Sequence, residues 1–493
     1  MATPIPANRA LLSTFGAAAA TGGTIARVDG EGASAIGVTT DSRAVAPGGA
    51  FVALRGEAHD GHDYLGEAAK RGAVLVVVAR GHGRAIPAGV DVVEVDDTLE
   101  AWGAIAAAHL RAWRRVRRLE PARVVGITGS AGKTTTKELS AALLGAMAPC
   151  HKAVGNLNNR IGLPSVVLGL EPHHRFVVLE MGMSVRGEIA ALCAIARPDV
   201  AVVTNVGVAH AEGVGGTRGD VAREKGAIFA ALPADGTAIA NADDAAAMGE
   251  LARATGSNVV SFGRAESADY RLREREPLGI HGSRAIVARP DRKAPLEAIV
   301  PLVGEAAAID FAAALAAVEA AGGWTLSAGT VADALAAMAP LEGRATVRTL
   351  GDVVVLDDSY NANPASVRAA LTTLAELAHS NGGRAVAVLG EMKELGARAQ
   401  EEHRGIGDAL ADAGVALAIG CGGLANLSLA RAAERGVAVV DAPDVAAAAT
   451  ETVSRVRGGD VVLVKGSRSV GAEAVVSALA ARSAGMNGKR EGA

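Results

Sequence analysis

Residues Val124 to Glu138 read VVGITGSAGKTTTKE, and few folds accommodate that order of residue types. Val124, Val125 and Ile127 predict a short buried strand. Gly129, Ser130, Ala131 and Gly132 make a small-residue loop, and Lys133, Thr134 and Thr135 open a helical run through Met147. Together these form an anion cradle: backbone N–H groups converge on the loop, and the helix dipole favours negative charge there. In such a cradle Lys133 would reach terminal phosphates and the Thr134 hydroxyl would hold Mg²⁺. The spacing is a variant, with Ile127 where the usual pattern has a glycine and Gly126 and Gly129 as the earlier glycines. A glycine-rich turn with a chance GKT is the bland alternative, and the correct order of strand, loop and helix weighs against it.

At 493 residues the chain has room for roughly three domains. Half of it is apolar but only 2% is aromatic, which points to small-residue packing of helices on sheets. A formal charge of −4 gives no footprint for nucleic acid. The basic run Trp113 to Arg118 (WRRVRR) reads as a solvated helix face. Cys150, Cys193 and Cys421 are far apart and odd in number, which suits a reducing cytosol and offers no zinc spacing. No apolar run is long enough for a membrane span. Leu11 to Ala20 reads as an amphipathic helix rather than a signal peptide.

Residues 1–118 predict a small α/β unit, with strands at Ala50 to Leu54 and Val74 to Val78 and a helix from about Tyr64. Asp41, Ser42 and Arg43 lie on a loop; Arg43 could pair a phosphate, although spacing alone favours a plain surface loop. Pro121 marks a boundary. From 119 to 343 strands and helices alternate, the mark of a mostly parallel sheet covered by helices. Polar clusters follow its strands. Asn156, Asn158 and Asn159 (GNLNNRIGLP) serve a ligand or a turn equally well. Glu180 ends the strand Phe176 to Leu179, where a carboxylate is well placed for Mg²⁺ or is simply a surface residue. His210, in TNVGVAHAEGVGG, alone reads as structural, but beside Glu180 and a phosphate loop a metal role competes. Lys225 on a helix reads as a solvated charge, and Asn241 lies in a turn plausible near a base. Residues 344–484 predict a second nucleotide-fold-like sheet, whose strand ends carry DDSYNANP, LGEMKELG and VKGSRS. Residues 485–493 read as a disordered tail.

Taken together, GITGSAGKTTTKE, GNLNNRIGLP, LEMGMSVRGEI, DDSYNANP, LGEMKELG and LVKGSRS resemble the Mur ligases, the ATP-dependent amide-forming ligases of peptidoglycan precursor synthesis. GNLNN, DDSYNANP and VKGSR are similar to the branch that adds D-alanyl-D-alanine to a UDP-N-acetylmuramoyl-tripeptide. The DNPR signature of a sister branch is absent. The resemblance implies an α/β chain of three domains: one for the UDP-sugar, a central P-loop ATPase-like domain with a mostly parallel sheet, and a C-terminal dinucleotide-fold-like domain. It implies ATP and Mg²⁺, an acyl-phosphate intermediate, and a cytoplasmic monomer with no nucleic-acid partner. It further implies Ser42 and Arg43 near the uridine nucleotide, and Asn158 and Asn159 at the substrate. The metal would lie at Thr134, Glu180, His210 and a carbamylated Lys225, which with Lys133 make the catalytic set. Arg344 would meet the γ-phosphate. Asp358, Asn361 and Asn363 would face ATP and the dipeptide, and Lys465, Ser467 and Arg468 would line the cleft. The family's G-x-H-N-x-x-N pattern for adenine is replaced here by GEAAAID, Gly304 to Asp310, which leaves Asn241 as the candidate for the base. The alternatives are a related ligase with another acceptor and a nucleotide-binding module with a degenerate site.

Overall fold

The computed structural model describes residues 4–56, 59–116, 122–208, 210–290, 292 and 294–490. Its largest element is a nine-stranded sheet. Five of its strands run parallel in the order Thr237–Asn241, Val200–Val203, Arg123–Thr128, Phe176–Glu180, Cys150–Lys152. Strand order reverses around Arg123–Thr128, since the chain crosses to the sheet edge, returns to one side of that strand and then passes to the other. Open α/β sheets bind ligands at such a switch, beyond the carboxyl ends of the strands. Each of these inner strands is a continuous apolar run buried on both faces, as a helix-covered parallel sheet requires. Beyond Thr237–Asn241 the sheet continues through Asn258–Gly263 and Tyr270–Pro277 and closes with the antiparallel strands Ser283–Ala288 and Leu296–Val300. This extension departs from the simple alternation expected of the central region.

One sheet face is covered by the helices Lys133–Gly145 and Glu305–Gly322, packed together over an aliphatic core. Alanine supplies most of the second helix's buried side, which lets it sit close to its neighbour. The other face carries Gly162–Leu168, Glu188–Ile195 and Arg218–Ala230. That core continues into the N-terminal unit through the helix Thr98–Val116. Here Trp102 donates to the Ile161 carbonyl at 2.9 Å and Trp113 to the His174 carbonyl at 3.1 Å. The WRRVRR run is therefore not a plain solvated face: Trp113 is buried and Arg114 pairs with Asp199 at 2.9 Å, while Arg117 and Arg118 lie outside the described residues, as does Pro121.

The N-terminal unit holds a five-stranded sheet and a two-stranded one. Leu11 to Ala20 is not one helix: Leu11–Ser13 is a strand, and Ser13 then caps a helix over Thr14–Thr21. The C-terminal unit is a six-stranded sheet in the order Thr346–Leu350, Val353–Asp358, Val461–Lys465, Ala385–Leu389, Leu417–Cys421, Ala438–Ala442, antiparallel only at its first pair. Its last helix runs Glu473–Arg490, into the stretch read as a tail.

Candidate active site

A cleft of about 770 Å³ lies between the carboxyl ends of the central strands and the C-terminal unit. Its floor is the phosphate loop. Gly132 has φ +79°, and a side chain there would also collide with the Asp310 carboxylate. The loop is braced from the next strand's end. Asn205 accepts from Ala131 N–H at 2.8 Å and donates to the Ala131 carbonyl at 3.1 Å, and Thr204 Oγ1 donates to the same carbonyl at 2.5 Å. Lys133 Nζ folds back onto the Gly129 carbonyl at 2.8 Å. Burial pulls the Lys133 ammonium below its ordinary range, with the Glu180 carboxylate opposing that pull.

Glu180 is nearly inaccessible, at 2% exposure. One of its oxygens accepts from Thr134 Oγ1 at 2.6 Å and the other from Asn158 Nδ2 at 2.8 Å. Burial alone would raise its carboxyl; Lys133, Arg344 and Lys137 together outweigh burial and hold it below the usual carboxylate range. Lys225 lines the same cleft, and its ammonium has neither ion pair nor hydrogen bond among the described residues. Burial, reinforced by Lys133, drives it well below the ordinary lysine range. The neighbouring Glu224 opposes this only in part; its oxygens accept from Gly187 N–H at 2.8 Å and Ile189 N–H at 3.0 Å.

Among the described residues no group of three or more His, Cys, Asp and Glu side chains is placed to hold a metal. The donor set nevertheless suits a hard cation. Thr134 and Glu180 supply oxygen, and a carbamate on the orphaned Lys225 would add more. His210 is the poorer fit for Mg²⁺. It is a nitrogen donor, it has φ +62°, and its Nδ1 lies 2.7 Å from Glu394 Oε2 of the C-terminal unit.

The opposite wall comes from the C-terminal unit. Asn363 caps the helix Pro364–Asn381 and donates from Nδ2 to the Ser130 carbonyl at 3.2 Å, so a helix cap touches the phosphate loop. Lys465 is buried and donates to Asp358 and to the Asn361 carbonyl at 2.9 Å. Ser467 accepts from Lys393 N–H at 2.9 Å, and Arg468 pairs with Glu473 at 3.0 Å. Arg344 enters at the junction of the two units.

The family comparisons match three consecutive segments of the chain. The Mur ligase family catalytic domain matches residues 35–110, the Mur ligase middle domain 127–318, and the Mur ligase glutamate ligase domain 343–468. The UDP-N-acetylmuramoyl-tripeptide–D-alanyl-D-alanine ligase of Escherichia coli is 36% identical over 452 residues, 90% of this chain and 93% of that protein. The chain belongs to the Mur ligase family. Among solved structures, MurF from Acinetobacter baumannii aligns with a TM-score of 0.83 at 27% identity, over 95% of this chain and 99% of that one. MurF ligase from Thermotoga maritima, solved in complex with ADP, gives 0.77 at 30% identity over 91% and 98%.

In this Mur ligase the cleft gathers Ser130, Ala131, Gly132, Lys133, Thr135, Asn158, Asn159, Glu180, His210, Lys225, Arg344, Asp358, Asn361, Asn363, Ser467 and Arg468. Several expected residues are elsewhere or otherwise engaged. Asn241 does not line the cleft; its amide donates to the Thr204 carbonyl at 3.0 Å and accepts from Asp243 N–H at 2.9 Å. Ser42 and Arg43 are also outside the cleft. They form a short 3₁₀ turn capped by Asp41, with Arg43 bound to Asp41 at 2.8 Å and Ser42 buried against Glu67. Asp358 is held by Lys465 and by Ala345 N–H rather than standing free. Reading the sequence missed Asn205, Tyr360 and Glu394. Each sits inside a quoted motif, TNVG, DDSYNANP or LGEMKELG, and its role appears only once the loops are brought together.

Proposed function

We propose that this Mur ligase joins D-alanyl-D-alanine to the terminal carboxylate of a UDP-N-acetylmuramoyl-tripeptide, using ATP to activate the carboxylate. The carrying observation is the closed cleft, in which a phosphate loop with its lysine and a buried, ionised glutamate faces DDSYNANP and VKGSRS across one cavity. Relatives with that activity in their names align along nearly the whole chain.

A carboxylate oxygen attacks the γ-phosphorus, the bond to ADP breaks, and an acyl phosphate forms. The dipeptide amine then attacks the acyl carbon, the tetrahedral adduct expels phosphate, and the nitrogen loses its proton. Oxide is too poor a leaving group for direct amide formation, whereas phosphate is a good one. No protein nucleophile is needed, so catalysis is positioning and charge neutralisation. The phosphate loop holds the nucleotide, Lys133 swings from Gly129 to the transferring phosphate, and Arg344 meets it from the other unit. Thr134, Glu180 and a Lys225 carbamate would hold Mg²⁺, which neutralises phosphate charge when bound. The carbamate arises by addition of the neutral amine to CO₂, with one N–C bond formed and one proton released. Residues 1–118 would take the UDP-sugar, 119–343 the ATP and 344–484 the dipeptide. We read the enzyme as a cytoplasmic monomer; in the described residues no helix is long and apolar enough to cross a membrane.

The test is phosphate release from ATP with Mg²⁺, UDP-N-acetylmuramoyl-tripeptide and D-alanyl-D-alanine, omitting each in turn, with the product identified by mass. Release that needs every component and yields the pentapeptide supports the reading. Release indifferent to the dipeptide overturns the acceptor.

A further inference from the structure

Arg344 differs from the other C-terminal-unit cations around the cleft in how it is held. Lys465 is bound to Asp358, Arg468 to Glu473 and Lys393 to Glu391. Arg344 has no carboxylate partner among the described residues. Its guanidinium lies over the ring of Tyr360, 4.1 Å from the centroid, and Arg468 approaches the same ring at 5.3 Å. A carboxylate would orient a guanidinium and also cancel its charge. An aromatic face orients it through the ring quadrupole and leaves the positive charge available to an anion. Tyr360 and Arg344 both line the cleft with Lys133 and Glu180.

The backbone around this pair is fastened as well. Tyr360 N–H donates to the Gly343 carbonyl at 3.0 Å. Gly343 has φ +66° and packs so closely on Tyr360 that an added Cβ would sit 3.3 Å from the tyrosine Cβ. Ala345, on the other side of Arg344, has φ +50°, a costly conformation for a residue with a Cβ, and its N–H is tied to Asp358 at 3.2 Å. Asp358 and Tyr360 thus grip the residues on both sides of Arg344 at the point where the chain passes between units. Burial keeps the Tyr360 phenol above its ordinary range, so the ring is neutral and is no candidate base for the dipeptide amine.

We propose that Tyr360 is a positioning residue that aims Arg344, which has no salt bridge among the described residues, at the transferring phosphate when the C-terminal unit is docked. This rests on the ligase reading above, and it assigns Tyr360 to phosphoryl transfer rather than to binding either substrate. Misaiming a transition-state cation lowers kcat and leaves ground-state affinity largely intact.

The experiment compares Tyr360→Phe, Tyr360→Leu and Arg344→Ala, alone and as the Tyr360→Leu/Arg344→Ala pair, in the full-length enzyme with both substrates and ATP. Tyr360→Leu keeps apolar bulk and removes the quadrupole. The expected result is a fall in kcat of about 10- to 100-fold, with KM for ATP and dipeptide changed by less than about threefold. Tyr360→Phe should recover most of the rate, and Tyr360→Leu should cost little more in the Arg344→Ala background. Undiminished kcat in Tyr360→Leu, an equal loss with and without Arg344, or a loss confined to the dipeptide KM would each overturn the proposal. A wild-type enzyme that makes no pentapeptide would instead defeat the ligase reading. Tyr360→Phe tests the hydroxyl, which also touches Arg344, and the Arg344→Ala background separates misaiming from misfolding, since a folding defect would persist there.

Discussion

At single residues, burial shifts two groups far from their ordinary ranges, in opposite directions. Lys225 is buried with no salt bridge among the described residues, and burial together with Lys133 holds its ammonium well below the ordinary lysine range, a direction that suits carbamylation. Isotope-labelled bicarbonate should give a carbamate carbon resonance that disappears in Lys225→Arg; an unchanged spectrum in that variant would remove Lys225 from the metal site. Asp310 is an acid without a cation. Burial lifts its carboxyl well above the carboxylate range, with only the Thr136 hydroxyl opposing. The unfolded chain releases this proton at the ordinary value while the folded one keeps it. Stability therefore falls as pH rises from the unfolded value towards the folded one. Asp310→Asn has no proton to lose, so its melting temperature should exceed the parent's at neutral pH and converge with it in acid. A constant difference across pH would show that Asp310 is ionised in the fold.

Among the elements, the helix Pro364–Asn381 joins stability to function through its first residue. Asn363 satisfies the helix N-terminus through its oxygen and the phosphate loop through its nitrogen. The two roles separate by substitution. Asn363→Ala loses both and should cost about 1 kcal/mol of stability in denaturant unfolding. Asn363→Asp keeps the cap, loses the donor and adds a charge facing phosphate. It should unfold like the parent yet raise the KM for ATP; parent-like kinetics would sever the cap from the site. Legibility at this scale followed locality. Pro364 at a helix start, the apolar runs at Phe176 and Val200, and the glycine loop before Lys133 were readable because neighbours in sequence decide them. The Leu11–Ser13 strand was not, because its pairing with Ser34–Ile36 is made from a distance.

For the whole molecule, the central and C-terminal units are docked by contacts far apart in sequence. Arg275 meets Glu376 through both carboxylate oxygens at 2.7 and 2.9 Å, Asn363 reaches Ser130, and His210 meets Glu394. The Arg275 side chain is 5% exposed and the Glu376 side chain 30%, so removing the arginine deletes a largely buried contact across the interface while the carboxylate keeps partial access to water. Arg275→Ala should enlarge the radius of gyration in solution scattering and raise the KM for dipeptide. Scattering identical to the parent's would mean that other contacts hold the units together. The three-unit plan and most of the cleft's residues were legible as motifs, since short loops at strand ends carry the chemistry. Which of them share a cavity was not. Ser42 and Arg43 fall outside it, Asn241 is tied to its own loop, and Asn205 and Tyr360 act through partners no local pattern reveals.

The bond from Asn363 to Ser130 also bears on timing. It joins the phosphate loop to the wall facing it, so release of ADP and phosphate is expected to require that wall to lift. A cycle built this way has a mechanical step, and a mechanical step feels solvent friction. Turnover should slow as glycerol or sucrose thickens the medium. If kcat is indifferent to viscosity, bond making rather than release sets the pace.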